Sequence, residues 1–135
     1  MKNKSLLSFI AVFLVGIALC YAQPEKKDLS EKPVPEWKTK THNFGEIEYN
    51  KPVKAEFEFK NPTLEPLLVS SVKASCGCTV ADYPKNPVKP GESANITVTY
   101  NARNIGNFKK SVRVNFNKSG TATTLFIEGI VKKAD

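Results

Sequence analysis

Between residues 54 and 60 the chain reads Lys54-Ala55-Glu56-Phe57-Glu58-Phe59-Lys60, with apolar and charged side chains in strict alternation. Successive side chains of an extended strand point to opposite faces, so a period of two describes a strand with one buried and one wet face. The same period returns twice. Ala94, Ile96, Val98 and Tyr100 alternate with Asn95, Thr97 and Thr99, and Val112, Val114 and Phe116 alternate with Arg113, Asn115 and Asn117. Residues 121–131, with Leu125, Ile127 and Val131, form a last run rich in β-formers. Weaker strands are expected over 37–44 and 67–74. No window of 11 or more residues carries a helical stripe.

Turn chemistry separates these runs. Asn61-Pro62-Thr63 and Glu65-Pro66 break the chain after the clearest strand, and residues 84–91 hold three prolines and a glycine. Asn104-Ile105-Gly106-Asn107 and Asn117-Lys118-Ser119-Gly120 are compact enough for hairpin turns. About seven short strands with frequent turns predict an all-β chain folded as one immunoglobulin-like β-sandwich over residues 37–135.

The N-terminus is of another kind. Lys2 and Lys4 precede an apolar run from Leu6 to Leu19, shorter than the roughly 20 residues that span a bilayer. A basic start, a short apolar stretch and then small residues describe a secretory signal peptide over 1–22, cut between Ala22 and Gln23. No membrane span is expected after that cut. The alternative is a lipoprotein anchored at Cys20, although Leu19 is larger than the residue a lipoprotein site wants. Residues 23–36, with Pro24, Pro33, Pro35 and many charges, bury too little to offset their ordering entropy and read as a flexible tether.

Of 20 Lys and Arg, only Lys2 and Lys4 leave with the signal, so 18 face 13 Asp and Glu, a formal charge of +5. Arg103 and Arg113 are the only arginines, and the lysines are interspersed with glutamates. A nucleic-acid reader clusters its cations on one face, so no nucleic-acid partner is expected.

Cys76-Gly77-Cys78-Thr79 is the most distinctive motif. With Cys20 removed, two cysteines remain, an even number suited to an oxidising compartment. Gly77 can supply a positive φ to a tight loop between them. A bond between Cys76 and Cys78 closes a very small ring, and strained disulfides are the more reducible ones. The preferred reading is structural, a bond or a pair of small buried thiols at a strand end. The alternative is a thiol redox or copper-handling site, since two thiolates suit Cu(I). A closed zinc site of Cys and His cannot be assembled, because His42 is the only histidine. No metal and no other cofactor is therefore assigned.

Catalytic constellations are lacking. His42 has no G-x-S-x-G nucleophile elbow to serve. Glu46 with Glu48, and Glu56 with Glu58, fall on the polar side of alternating strands, which makes them solvated faces rather than paired acids.

The order of motifs resembles a known family. Phe57-Glu58-Phe59-Lys60-Asn61, Pro66-Leu67 and Ser75-Cys76-Gly77-Cys78-Thr79 come first. Pro84, Pro87, Pro90-Gly91-Glu92, Ile96-Thr97-Val98-Thr99-Tyr100-Asn101, Gly106-Asn107-Phe108 and Leu125-Phe126-Ile127-Glu128-Gly129 follow. The pattern, over about residues 39–132, is similar to the bacterial exported domain-of-unknown-function family 1573. The resemblance implies an immunoglobulin-like sandwich related to the major-sperm-protein and Hydin type of domain, and a place in the cell envelope. It supplies no catalytic residues. The expectation is an exported, non-catalytic binding or structural module whose partners are envelope proteins or other macromolecules.

Overall fold

The computed structural model of the chain describes residues 35–117 and 122–135. The expected signal peptide, the Ala22–Gln23 cleavage site, Cys20 and the tether up to residue 34 lie outside the described residues. Pro35 is buried and Glu36 pairs with Lys60, so residues 35 and 36, expected in the tether, belong to the domain.

The described residues form eight strands: β1 (Glu36–Trp37), β2 (Thr41–Glu48), β3 (Val53–Lys60), β4 (Val69–Ala74), β5 (Thr79–Asp82), β6 (Ser93–Tyr100), β7 (Gly106–Phe116) and β8 (Ala122–Lys132). They make two four-stranded sheets, β1-β3-β6-β5 and β2-β8-β7-β4, stacked as a sandwich. The fold is all-β and immunoglobulin-like, with eight strands instead of about seven. The run expected over 37–44 is two strands in different sheets, because the chain crosses from one sheet to the other at residues 38–40. The additional strand is β5, four residues long, immediately after Cys78.

Alternation in sequence becomes alternation in burial. Along β3 every second residue is buried, with Phe57 and Phe59 at 0% exposure and Glu56 and Glu58 exposed. From the same sheet come Ile96, Val98 and Tyr100; the other contributes Val112, Val114, Phe116, Leu125, Ile127 and Val131. Aromatic pairs bridge the two layers. Phe59 meets Phe116 edge-on at 5.4 Å, and Tyr100 stacks on Phe108 at 4.2 Å. Such contacts add to simple burial through ring electrostatics.

The strand edges are guarded. An unpaired edge is a template for aggregation unless it is short, bulged or charged. β1 has two residues and β5 four, β2 is bulged between Asn43 and Glu46, and β4 between Val69 and Ser71. The β2 bulge places Gly45, at φ 66°, opposite Gly129 of β8. A β-carbon on Gly129 would lie 2.8 Å from the Gly45 carbonyl oxygen and 2.9 Å from the Phe108 ring. Only glycine fits that crossing.

One buried polar side chain organises the other end of β3. Asn61 is fully buried. Its Nδ2 donates to the carbonyls of Glu65 (2.8 Å) and Val88 (2.9 Å). Its Oδ1 accepts from the Thr63 amide (3.0 Å) and lies 2.7 Å from the Thr63 hydroxyl. Asn61 thereby ties the β3–β4 connection to the proline-rich β5–β6 connection. Asn61-Pro62-Thr63 marks a break in the chain from sequence alone, but the anchor that holds it is visible only in the fold.

Candidate functional site

Ser75 follows the last residue of β4 at one edge of its sheet, and its amide donates to the Ser111 carbonyl of β7 (2.8 Å). Three residues later the chain has reached the other sheet, where the Cys78 carbonyl accepts from the Asn101 amide (3.0 Å) and Thr79 pairs with Tyr100. Cys76-Gly77-Cys78 is thus the crossover between the sheets, held at both ends by main-chain hydrogen bonds. Cys76 and Cys78 are joined by a disulfide, with Cα atoms 5.3 Å apart. Both are only half-buried, and Gly77 is exposed. Gly77 does not use a positive φ, contrary to the role expected for it, and a β-carbon there would meet open space.

Thr79 is the buried member of the motif, at 4% exposure. Its hydroxyl lies 3.7 Å from the Cys76 sulfur and 3.8 Å from the Cys78 sulfur, so one hydroxyl serves both. The neighbouring Tyr100 is fully buried, and its phenol oxygen has no hydrogen-bond partner among the described residues. Desolvation pushes the Tyr100 phenol above its ordinary value of 10.0.

Two further loops join the crossover. The Asn50 amide, after β2, donates to the Ala102 carbonyl, after β6 (2.8 Å). Residues 49–52, 76–78 and 101–105 are therefore linked through residues 101 and 102 at one end of the sandwich. Asn50 (φ 60°) and Ala102 (φ 54°) are the non-glycine residues with positive φ among the described residues. Backbone strain of this kind persists only where the surroundings enforce it, and it concentrates at functional loops. The same loops expose Tyr49 (44%) and Ile105 (62%). The sequence marks Ile105 only as part of a turn and does not mark Tyr49, Asn50 or Ala102 for a site. An asparagine before Lys51-Pro52 is a turn signal, whereas nothing marks an alanine for a left-handed conformation.

His42 is elsewhere. It lies on β2, one edge of its sheet, while the crossover leaves from β4 at the opposite edge, three strands or roughly 14 Å away. Its ring packs edge-on against Phe44 at 4.5 Å. Glu46, Glu48, Glu56 and Glu58 are exposed, as their alternation implies. Among the described residues no three or more His, Cys, Asp or Glu side chains gather where they could hold a metal ion.

The family model described as "Protein of unknown function (DUF1573)" matches residues 35–131, from the buried Pro35 to Val131, the penultimate residue of β8. The chain belongs to DUF1573. No curated protein matches the sequence significantly. Among solved structures, this DUF1573 domain is similar to the ASH/PapD-like domain of human CEP192 (PapD-like domain 7). The TM-score is 0.66 at 11% identity, over 87% of this chain and 97% of that one. It is also similar to a protein of unknown function from Porphyromonas gingivalis (TM-score 0.62, 15% identity), covering 78% of this chain and 51% of that one. A third likeness is to SSP-19, an MSP-domain protein-like family member of Caenorhabditis elegans. Here the TM-score is 0.50 at 13% identity, over 72% and 98% of the two chains. At these identities the likeness establishes the fold alone. That fold is the immunoglobulin-like sandwich expected from the resemblance.

Proposed function

We propose that this DUF1573 domain is an exported, non-catalytic binding or structural module of the bacterial cell envelope, which docks macromolecular partners through its 49–52, 76–78 and 101–105 loops. The observation that carries this reading is the joined set of strained loops, Asn50 to Ala102 to Cys78, presenting Tyr49 and Ile105 to solvent from a rigid sandwich. Recognition residues concentrate on such loops because the scaffold fixes them without burying them. Export is supported by the basic-then-apolar N-terminus and by the two cysteines left after processing.

The test uses a photo-crosslinking side chain at Ile105 and, separately, at Glu56 on the solvent face of β3, in envelope-producing cells. Discrete adducts from position 105 and none from position 56 are expected. Equal adducts from both positions would remove the loops from the reading. Intact mass of the exported protein reads the processing: a chain beginning at Gln23 supports it, and acyl chains on Cys20 would replace it with a lipoprotein.

A further inference from the structure

The disulfide is badly placed to be a staple. Cross-linking stabilises chiefly by removing loop-closure entropy from the unfolded chain, and the effect falls as the closed loop shortens. Cys76 and Cys78 are separated by two positions, so their loop is nearly the shortest available. The crossover is moreover already fixed without the bond, through Ser75 to Ser111 on one side and Asn101 to Cys78 on the other. Both cysteines are only partly buried, beside a buried hydroxyl that can reach either sulfur.

We propose that Cys76–Cys78 is a thiol–disulfide exchange site, whose co-reactant is a protein dithiol. A thiolate of the dithiol attacks one sulfur of the pair, the S–S bond breaks, and a mixed disulfide forms. The departing sulfur leaves as a thiolate, accepts a hydrogen bond from the Thr79 hydroxyl, and then takes a proton from solvent. The second thiolate of the incoming molecule attacks the mixed disulfide. That molecule leaves oxidised, and Cys76 and Cys78 remain as two thiols. Two electrons and two protons pass from the dithiol to the pair, and the reverse sequence reduces a partner's disulfide and re-forms the Cys76–Cys78 bond. Thr79 acts as a positioning residue: a sulfur in a disulfide is a weak acceptor, whereas a thiolate accepts a charge-assisted hydrogen bond. Because the backbone of the crossover is held independently, the two thiols stay close and the ring can close again.

The experiment reduces the full chain with dithiothreitol, native and in guanidinium chloride, and follows thiols by alkylation and mass. The native rate is expected within about tenfold of the denatured rate, since access and leaving-group quality govern exchange. The far-ultraviolet spectrum should not change on reduction, and oxidised glutathione should restore the bond. A native rate slowed by more than that factor, or unfolding on reduction, would overturn the proposal in favour of a structural bond. For Thr79, the reduced pair of Thr79→Val should react with iodoacetamide about tenfold more slowly and lose thiolate ultraviolet absorbance, with Thr79→Ser restoring both. Unchanged reactivity in a folded Thr79→Val protein would overturn the part assigned to that hydroxyl.

Discussion

Replacing Asn61 by alanine removes the four hydrogen bonds of a fully buried side chain. One is recoverable, because the Thr63 hydroxyl lies 2.8 Å from the Glu65 carbonyl and can donate there. Three remain lost, at roughly 1 kcal/mol each for bonds between neutral groups, or about 3 kcal/mol. For a domain of this size that lowers Tm by roughly 12–24 °C. The lone Trp37, packed 5.2 Å from Phe59, reports unfolding by fluorescence alongside circular dichroism. Asn61→Asp separates hydrogen bonding from shape. It keeps the acceptor that Thr63 uses but sets an oxygen against the Glu65 and Val88 carbonyls, where only a protonated carboxyl can donate. The folded state therefore raises the Asp pKa above its unfolded value, so the variant is at its best below the unfolded value of about 3.9 and loses stability as pH climbs through the folded one. Its deficit against wild type should be smaller at pH 4 than at pH 7. Loss of less than about 1 kcal/mol in Asn61→Ala, or a deficit in Asn61→Asp that shrinks as pH rises, would refute the anchor.

Phe57→Ala, at a fully buried position, should lose about 3–5 kcal/mol in urea titration, and an unchanged midpoint would mean the β3 register is wrong by one residue. Among the described residues, the two glycines without positive φ should behave oppositely. Gly129→Ala is expected to lose about 1–3 kcal/mol through overpacking against Gly45 and Phe108, whereas Gly77→Ala should stay within about 0.5 kcal/mol of wild type. Tyr100→Phe removes an unpartnered buried hydroxyl and should be neutral or stabilising by up to about 1 kcal/mol. Since burial raises the Tyr100 pKa, wild type keeps that group's contribution below pH 10.0 and loses it above. The advantage of Tyr100→Phe in thermal scans should therefore widen in alkaline buffer.

The strands that could be read from sequence are those whose two faces see different solvents. β3, β6 and the second half of β7 announce themselves because water wets one side and the core the other. β5 has only four residues, too few to establish a period, and the break between β1 and β2 follows from a change of sheet, which no local propensity encodes. Asn104-Ile105-Gly106-Asn107 is not a hairpin for the same reason: β6 and β7 belong to opposite sheets, and Gly106 already opens β7 at φ 110°. β7 and β8, by contrast, do pair as consecutive antiparallel strands. Within the site, Cys76-Gly77-Cys78-Thr79 was legible as a contiguous motif. The company it keeps was not, because Asn50 and Ala102 reach it from distant parts of the chain and only tertiary structure joins them.

The parallel pairing of β2 with β8 imposes a waiting time. Asn43 lies beside Glu128, 85 positions later, so β2 leaves the ribosome long before the strand that receives it exists. Until then Phe44 and Ile47 lack their neighbours, and sheet β2-β8-β7-β4 is an incomplete template with β7 awaiting its hairpin partner. Such distant contacts slow folding and lengthen the life of sticky intermediates. A chain stopped short of Ala122 would therefore strand its own beginning as well as lose its end, and it should be cleared by proteases as one damaged unit.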